Sequence, residues 1–210
     1  IDAKNLQFTQ GFQEIRVASE SAGPSNNLVL KLKNVFLGDI TAALFRNPRI
    51  EGVSTGNIIM SDFFGNFQAN ASLNTEQFIL DDDSIGLVKL TAGYNNATGM
   101  IPFTVQSPNE SFKLKATGYY NLKDSIGKPF NTDIQLEDTK INILHRFIGD
   151  LFSDFKGQAK GNLNINGDPN APDLLGNISL RNAGLTVNYT KVNYSIDSAE
   201  IQFTKDGIDF

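Results

Sequence analysis

Few side chains in this sequence are of types that do chemistry, and their spacing serves it poorly. His145 is the only histidine of 210 residues. It lies on or beside an apolar stripe, with no Ser, Cys or metal-ligand pattern around it. A general base needs a positioned partner and a reacting group, so His145 reads as a packing or surface residue. Asp81-Asp82-Asp83 offers carboxylate oxygens to Ca²⁺. An EF-hand-type loop, however, needs spaced oxygens, an internal Gly and a distal bidentate Glu, and none is present. The run reads as a solvated strand connection. Paired glycines, Gly52/Gly56 and Gly157/Gly161, suggest a phosphate loop only until the next residues are read. No Lys-Ser/Thr follows Gly56 or Gly161, and the next element is a strand. Glycine there lets backbone pass close to backbone or bends a sheet. The absence of Cys excludes disulfides, zinc-thiolate sites and a cysteine nucleophile. These residues lead us to expect no enzyme: no catalytic residue, no metal and no cofactor.

Composition narrows the partners. A net charge of −5 and a pI near 4.9 argue against nucleic acid, which needs a concentrated basic surface. The apolar share is 40% and the mean hydropathy −0.22. No run approaches the ~20 apolar residues of a membrane-crossing helix. There are 16 Phe, 18 Gly and no Trp, with apolar residues scattered in alternation. Asn-x-Ser/Thr triplets at Asn70, Asn96, Asn109, Asn177, Asn188 and Asn193 are what a chain rich in these residues makes by chance. The chain starts at Ile1 without Met or signal peptide and breaks off within a turn-strand pattern at Ile208-Asp209-Phe210. Both ends read as cuts through a longer polypeptide.

The elements that must position any site are strands. Period-2 alternation recurs in Ile15/Val17, Leu28/Leu30/Leu32, Ile101/Phe103/Val105, Phe112/Leu114/Ala116, Leu163/Ile165, Ile178/Leu180, Leu185/Val187, Val192/Tyr194/Ile196 and Ile201/Phe203. Polar residues fill the alternate positions, the pattern of a sheet with one buried face. Turns such as Ala22-Gly23-Pro24-Ser25, Tyr94-Asn95-Asn96, Ser107-Pro108-Asn109 and Gly127-Lys128-Pro129 divide the chain into roughly fourteen strands of about 5–9 residues. Two stretches break the alternation. Ile141, Leu144, His145, Ile148, Leu151 and Phe152 predict a helix over 140–152 with Asp138 or Thr139 as N-cap. Leu37, Ile40, Leu44 and Phe45 predict a weaker one over 37–46.

The helices expose a repeat. After the first comes Glu51-Gly52-Val53-Ser54-Thr55-Gly56-Asn57-Ile58, and after the second Lys156-Gly157-Gln158-Ala159-Lys160-Gly161-Asn162-Leu163. The offset is 157 − 52 = 105 residues. Further on, Leu73, Phe78 and Leu80 match Leu180, Leu185 and Val187 near an offset of 180 − 73 = 107. Such units stack in one dimension. The expected segments are 1–45, strands plus a short helix; 46–138, a first β repeat; and 139–210, a helix plus a second repeat.

The stretch Phe152-Ser-Asp-Phe-Lys-Gly-Gln-Ala-Lys-Gly-Asn-Leu through Asn182-Ala-Gly-Leu-Thr-Val-Asn-Tyr189 resembles the TamB family, relatives of AsmA. The run from Asn193 to Phe210 continues the likeness, and residues 46–105 look like a diverged copy. The resemblance implies a periplasmic scaffold anchored to the inner membrane by an N-terminal helix, which this chain lacks. It implies an elongated, mainly β fold: a curled sheet forming an open, taco-like trough with an apolar inner face and one or two short helices. It implies partners as well: phospholipid acyl chains moved toward the outer membrane, and an Omp85-type barrel met through regions outside this chain, in outer-membrane protein assembly. Asp-Ser-aliphatic triplets at Ser84, Ser125 and Ser198 match an O-glycosylation pattern of some Gram-negative periplasms.

Parity assigns the groove lining to Ile58, Met60, Val88, Leu90, Ile101, Phe103, Leu114, Leu163, Ile165, Ile178, Leu180, Leu185, Val187, Val192, Tyr194, Ile196, Ile201 and Phe203. Asn162, Asn164, Ser179, Thr186 and Gln202 are expected to face solvent. Two other classes fit the same pattern. One is an extracellular stalk or adhesin that fills its interior with its own side chains. The other is a carbohydrate-active β-solenoid, which needs convergent carboxylates on one face.

Overall fold

A computed structural model describes residues 3–20, 27–44, 49–124, 129–168 and 171–209. Among them are 13 strands in one antiparallel sheet, each hydrogen-bonded to the next in chain order. They are β1 (Leu6–Gln10), β2 (Gln13–Ser19), β3 (Leu28–Phe36), β4 (Ile50–Ser61), β5 (Gln68–Leu80), β6 (Asp83–Asn95) and β7 (Met100–Ser107). Then come β8 (Leu114–Asn121), β9 (Phe130–Lys140), β10 (Phe152–Asp168), β11 (Ala171–Val187), β12 (Val192–Phe203) and β13 (Ile208–Asp209). β1 and β13 are not paired with each other, so the sheet is open. Hydrogen bonding runs unbroken through the expected segment boundaries, because β9 pairs with both β8 and β10.

Two short helices interrupt the meander: α1 (Leu37–Leu44), and a 3₁₀ turn (Ile141–Leu144) running into α2 (His145–Ile148). The second is shorter than the expected 140–152. Its N-terminal position is Lys140 with no side-chain cap, because both expected caps are engaged elsewhere. Asp138 adopts φ +52 within β9 and pairs with Arg181. Thr139 is fully buried and donates to Lys113 O at 2.7 Å. At the other end Gly149 N–H donates to His145 O at 2.7 Å, and Asn188 Nδ2 donates to the Gly149 and Asp150 carbonyls at 2.9 and 3.1 Å. Those bonds tie off the last turn. The chain then re-enters the sheet, so Phe152 is a strand residue opposite Val187, and Leu151 is exposed. For α1, residues 45–46 of the expected span lie outside the described residues.

The strands are longer than expected, reaching 17 residues in β10 and β11. They stay continuous by absorbing bulges. Residues with left-handed backbone, Asn34, Gln77, Asp138, Asp154 and Asn182, recur in β3, β5, β9, β10 and β11. Register shifts fall at each of them. A bulge bends its strand and raises the local twist. It also changes parity: Leu32 and Val35, or Leu180 and Ala183, straddle a bulge three residues apart and are both buried.

The repeat is present in the register. Gly56 lies opposite Leu73 and Gly161 opposite Ile178. The left-handed bulges Gln77 and Asn182 keep the same spacing, 182 − 77 = 105. The structural counterpart of Leu73 is therefore Ile178, and the 107-residue match to Leu180 is corrected. Strands β3–β5 with α1 correspond to β9–β11 with the second helix, so a repeat spans six strands (β3 to β8). At ~4.8 Å per strand that is roughly 29 Å of sheet.

Gly157 shows why the spacing needs glycine. Its φ is +98, and a Cβ there would sit 2.5 Å from Asn182 O and 2.6 Å from Ala183 Cα. Gly157→Ala is expected to lower stability by about 1–3 kcal/mol. Gly184→Ala, whose Cβ would meet nothing nearer than 3.6 Å, should change it far less. Urea midpoints of the two variants check this.

Candidate functional site

Directly opposed residues of antiparallel strands share a face, so register alone traces which expected residues the fold brings together. Leu30 opposes Ile58, Ile58 opposes Ala71, Ala71 opposes Ala92, and Ala92 opposes Phe103. The neighbouring row runs Leu28, Met60, Ala69 and Tyr94. A third runs Leu73, Leu90, Val105, Ala116, Ile134, Leu163 and Gly176 to Phe203. Ile101 opposes Tyr120, Leu114 opposes Leu136, and Val88 opposes Thr75. Gly161, Ile178 and Ile201 form one row, and Leu180 adjoins Ala159 and Ala199. Beyond the Asn182 bulge the pairs are Ala183–Ile196, Leu185–Tyr194 and Val187–Val192. The parity assignment thus places its residues in continuous cross-strand rows.

Burial along these rows is uneven. Leu136, Leu163, Ile165, Ile178, Leu180, Ala183, Leu185, Ile201 and Phe203 are buried, and most belong to one cluster with Ile141 and Leu144. Ile58, Met60, Leu90, Ile101, Phe103 and Leu114, from β4 to β8, are only half-buried. Val192 and Tyr194 are exposed. The opposite face carries polar ladders: Asn164 Nδ2 donates to Asn131 Oδ1 at 3.0 Å and Asp133 Oδ1 at 2.8 Å, and Ser179 Oγ donates to Glu200 Oε1 at 2.6 Å. Of the residues expected in solvent, Asn162 and Gln202 are exposed, while Asn164, Ser179 and Thr186 are half-covered by such partners.

Hydroxyls on the apolar rows are nearly all bonded, as burial demands. Ser54 Oγ and Thr75 Oγ1 lie 2.6 Å apart, and Ser107 Oγ accepts from Asn109 Nδ2 at 2.8 Å. Thr132 Oγ1 alone has no partner among the described residues.

Sequence reasoning missed the way the second helix covers the rows. Ile143, Leu144, Arg146 and Phe147 roof a pocket of about 210 Å³, walled from the sheet by residues of β5–β10 including Phe78, Val88, Val105, Ala116, Ile134 and Leu163. The signal was present: Ile143 and Phe147 sit one turn apart, off the Ile141/Leu144/Ile148 stripe, and so mark a second apolar face of the same segment.

A polar pocket adjoins the first, lined by Asp81, Asp82, Asp83, Asn142, His145, Arg146 and Asp154. Arg146 Nη1 reaches Asp81 Oδ2 at 2.9 Å, and Asn142 Nδ2 donates to Asp83 Oδ1. The acidic run is thus a turn that ties down the helix. His145 is exposed, its ring edge-on to Phe155 at 6.0 Å. No group of His, Cys, Asp and Glu among the described residues is arranged to hold a metal. Ser84 and Ser198 are exposed, and Ser125 lies outside the described residues.

The described residues therefore form a single open antiparallel β-sheet of 13 strands with two short helices. Compared with family models, curated proteins and solved structures, the sequence and fold match none. No helix among the described residues is long and apolar enough to cross a membrane.

Asp83 yields a pH test. Burial raises its pKa above 3.8, the Asp82 and Asp81 charges add to the rise, and the Asn142 hydrogen bond opposes it. A carboxyl whose folded pKa is raised stabilises the fold below the unfolded value and loses that contribution as pH climbs through the folded one. Asp83→Asn keeps an acceptor for Asn142 without the charge. Its Tm should exceed that of the parent at pH 7, and the difference should shrink toward pH 4 in a melting series.

Proposed function

We propose that the chain is a segment of a TamB-like periplasmic scaffold. Its bulged sheet curls into an open trough, whose apolar inner face carries phospholipid acyl chains between inner and outer membranes. An Omp85-type barrel, met through regions outside this segment, is the proposed partner in outer-membrane protein assembly. The observation that carries the reading is the set of cross-strand apolar rows in which Leu30, Ile58, Met60, Leu90, Ile101 and Phe103 are half-exposed, while Leu32, Val35 and Val88 are buried. A soluble sheet ordinarily hides such a face under a second layer. Here α1 and the 141–148 segment are the only helices among the described residues.

The energetics suit transport rather than capture. Burying a methylene contributes ~0.8 kcal/mol, so a sixteen-carbon chain gains on the order of 10 kcal/mol on leaving water. A bilayer offers the same gain, so a conduit need only match it along a path without a deep minimum. Aliphatic rows with few charges do so, while the headgroup stays at the wet edge.

A second reading draws on the other end of the sheet. From β9 to β12 the same rows are filled by their own side chains, as in a repetitive stalk or adhesin without a lipid role. Introduced charges separate the two. Leu163 and Leu180 are each 3% exposed, and an unpaired charge there costs several kcal/mol of folding energy. Half-buried Ile58 and Leu90 are the better positions, because an open face lets an arginine head reach water. In the full-length protein, Ile58→Arg and Leu90→Arg should reduce outer-membrane integrity and lipid crosslinking, with Asn57→Arg on the opposite face as control. Equal behaviour of the three variants would refute the conduit and favour the stalk.

A further inference from the structure

We propose that the pocket roofed by residues 141–148 is a discrete seat for the terminal stretch of one acyl chain, entered by displacement of that roof. This rests on the acyl-chain reading above and sharpens it, adding a single stopping place to an otherwise uniform path. The pocket holds about 210 Å³. That exceeds the roughly 150 Å³ of a dry apolar cavity able to admit benzene, and falls below the roughly 300–1,000 Å³ of sites for whole drug-sized ligands. It takes part of a chain, not the whole.

Its lining sets the chemistry of the occupant. Apart from Ser107 and Arg146 every wall residue is apolar. The Ser107 hydroxyl accepts from Asn109 Nδ2 at 2.8 Å, and Arg146 is drawn to Asp81 Oδ2 at 2.9 Å. With both engaged, a sugar, a nucleotide or a peptide backbone would bring in polar groups with nothing to bond, at a cost that hydrocarbon avoids.

The roof has the construction of a lid. Ile141 and Leu144 anchor it in the main core, whereas Ile143 and Phe147 are half-buried over the pocket. The α-helical part is four residues with no side-chain N-cap, far below the length that holds a helix alone. Two side-chain contacts, Arg146 to Asp81 and Asn142 to Asp83, latch it to the β5–β6 turn. Ile148 also packs on the core and Asn188 holds the last turn, so opening is confined to the Ile143–Phe147 side, where those two side-chain contacts are the ones to release.

The experiment uses the whole chain and palmitic acid carrying a diazirine on its terminal carbon, photolysed and mapped by peptide mass spectrometry. Label should saturate at one per chain and concentrate on peptides holding Val105, Ile143 and Phe147. Ala116→Phe, which fills the pocket, should cut it by about tenfold or more while sparing label at Ile58 and Leu90. Arg146→Ala with Asn142→Ala should speed labelling several-fold. Asp83→Cys with Asn142→Cys, in a chain with no cysteine of its own, joined by a short bis-maleimide should slow it. Label spread evenly along the sheet and indifferent to Ala116→Phe would overturn the seat while leaving the acyl-binding face intact. Label nowhere would overturn both. Pocket label unchanged by unlatching and locking would overturn the lid.

Discussion

A single β-sheet has one face it must hide from water, and among the described residues of this chain no second sheet is there to hide it. Most small β proteins solve the problem by stacking two sheets or closing one into a barrel. Thirteen strands in simple meander order do neither. Each strand adds backbone bonds to its neighbours and lengthens the same apolar face. Among the described residues a short segment of chain lies over part of that face, and bulges interrupt the strands that form it.

The bulges bend those strands. Four of the bulges' five left-handed residues are Asn or Asp, types that, apart from glycine, tolerate this conformation well; Gln77 is the exception. Opposite or beside them stand glycines whose missing Cβ leaves room for the neighbouring strand; at Gly161 a Cβ would fall 2.2 Å from Asn177 O. A bulge alone would invert the apolar pattern beyond it. The side chains compensate, since the apolar position moves from an even to an odd offset at the same place: Leu30 and Leu32 before Asn34, Val35 after it; Ile178 and Leu180 before Asn182, Ala183 and Leu185 after it. Local backbone preference and binary pattern therefore change together, the consistency across levels that marks a specified fold.

This coupling explains what the sequence made legible. The one-sided alternation, the openings at glycine, the 105-residue repeat and the position of both helices were all readable, because each follows from residue type at fixed spacing. The aliphatics on either side of the Asn182 bulge were read as two separate runs, Ile178/Leu180 and Leu185/Val187, which the structure joins in one strand, β11. Strand length was not readable. A left-handed Asn inside a strand looks like the turn chemistry that ends one, so continuous strands of 17 residues seemed like pairs of shorter ones. The helix caps failed for a related reason. Asp138 and Thr139 have the right chemistry for capping, but a bulge and a buried hydroxyl bond to Lys113 O had prior claim on them. Ile143 and Phe147 signalled a second apolar face on the helix, but the pocket beneath it was not readable, because it depends on how far the helix reaches over β5–β10, which is a tertiary distance.

The two helices occupy equivalent places in the repeat, yet among the described side chains only the second contributes to a buried cluster. Ile141 and Leu144 are buried with residues of β9–β12, and Ile143 bridges that cluster to the one formed by Ile85, Val88 and Phe112. In α1, Ile40 is left exposed, and Thr41 Oγ1 lies 2.9 Å from Ile50 O, a polar tether where the other helix has a hydrophobic anchor. The difference follows position rather than helix chemistry. The second helix has apolar rows of the first repeat on one side and of the second repeat on the other, so a short segment buries side chains against both. The same placement makes it the element whose movement would change the covered area most. Half-buried positions such as Ile58, Leu90 and Phe103 lie on the first repeat's side of this helix and the buried cluster of Leu163, Ile178 and Leu180 on the second's, so one short segment joins an incompletely covered stretch of the sheet to a covered one.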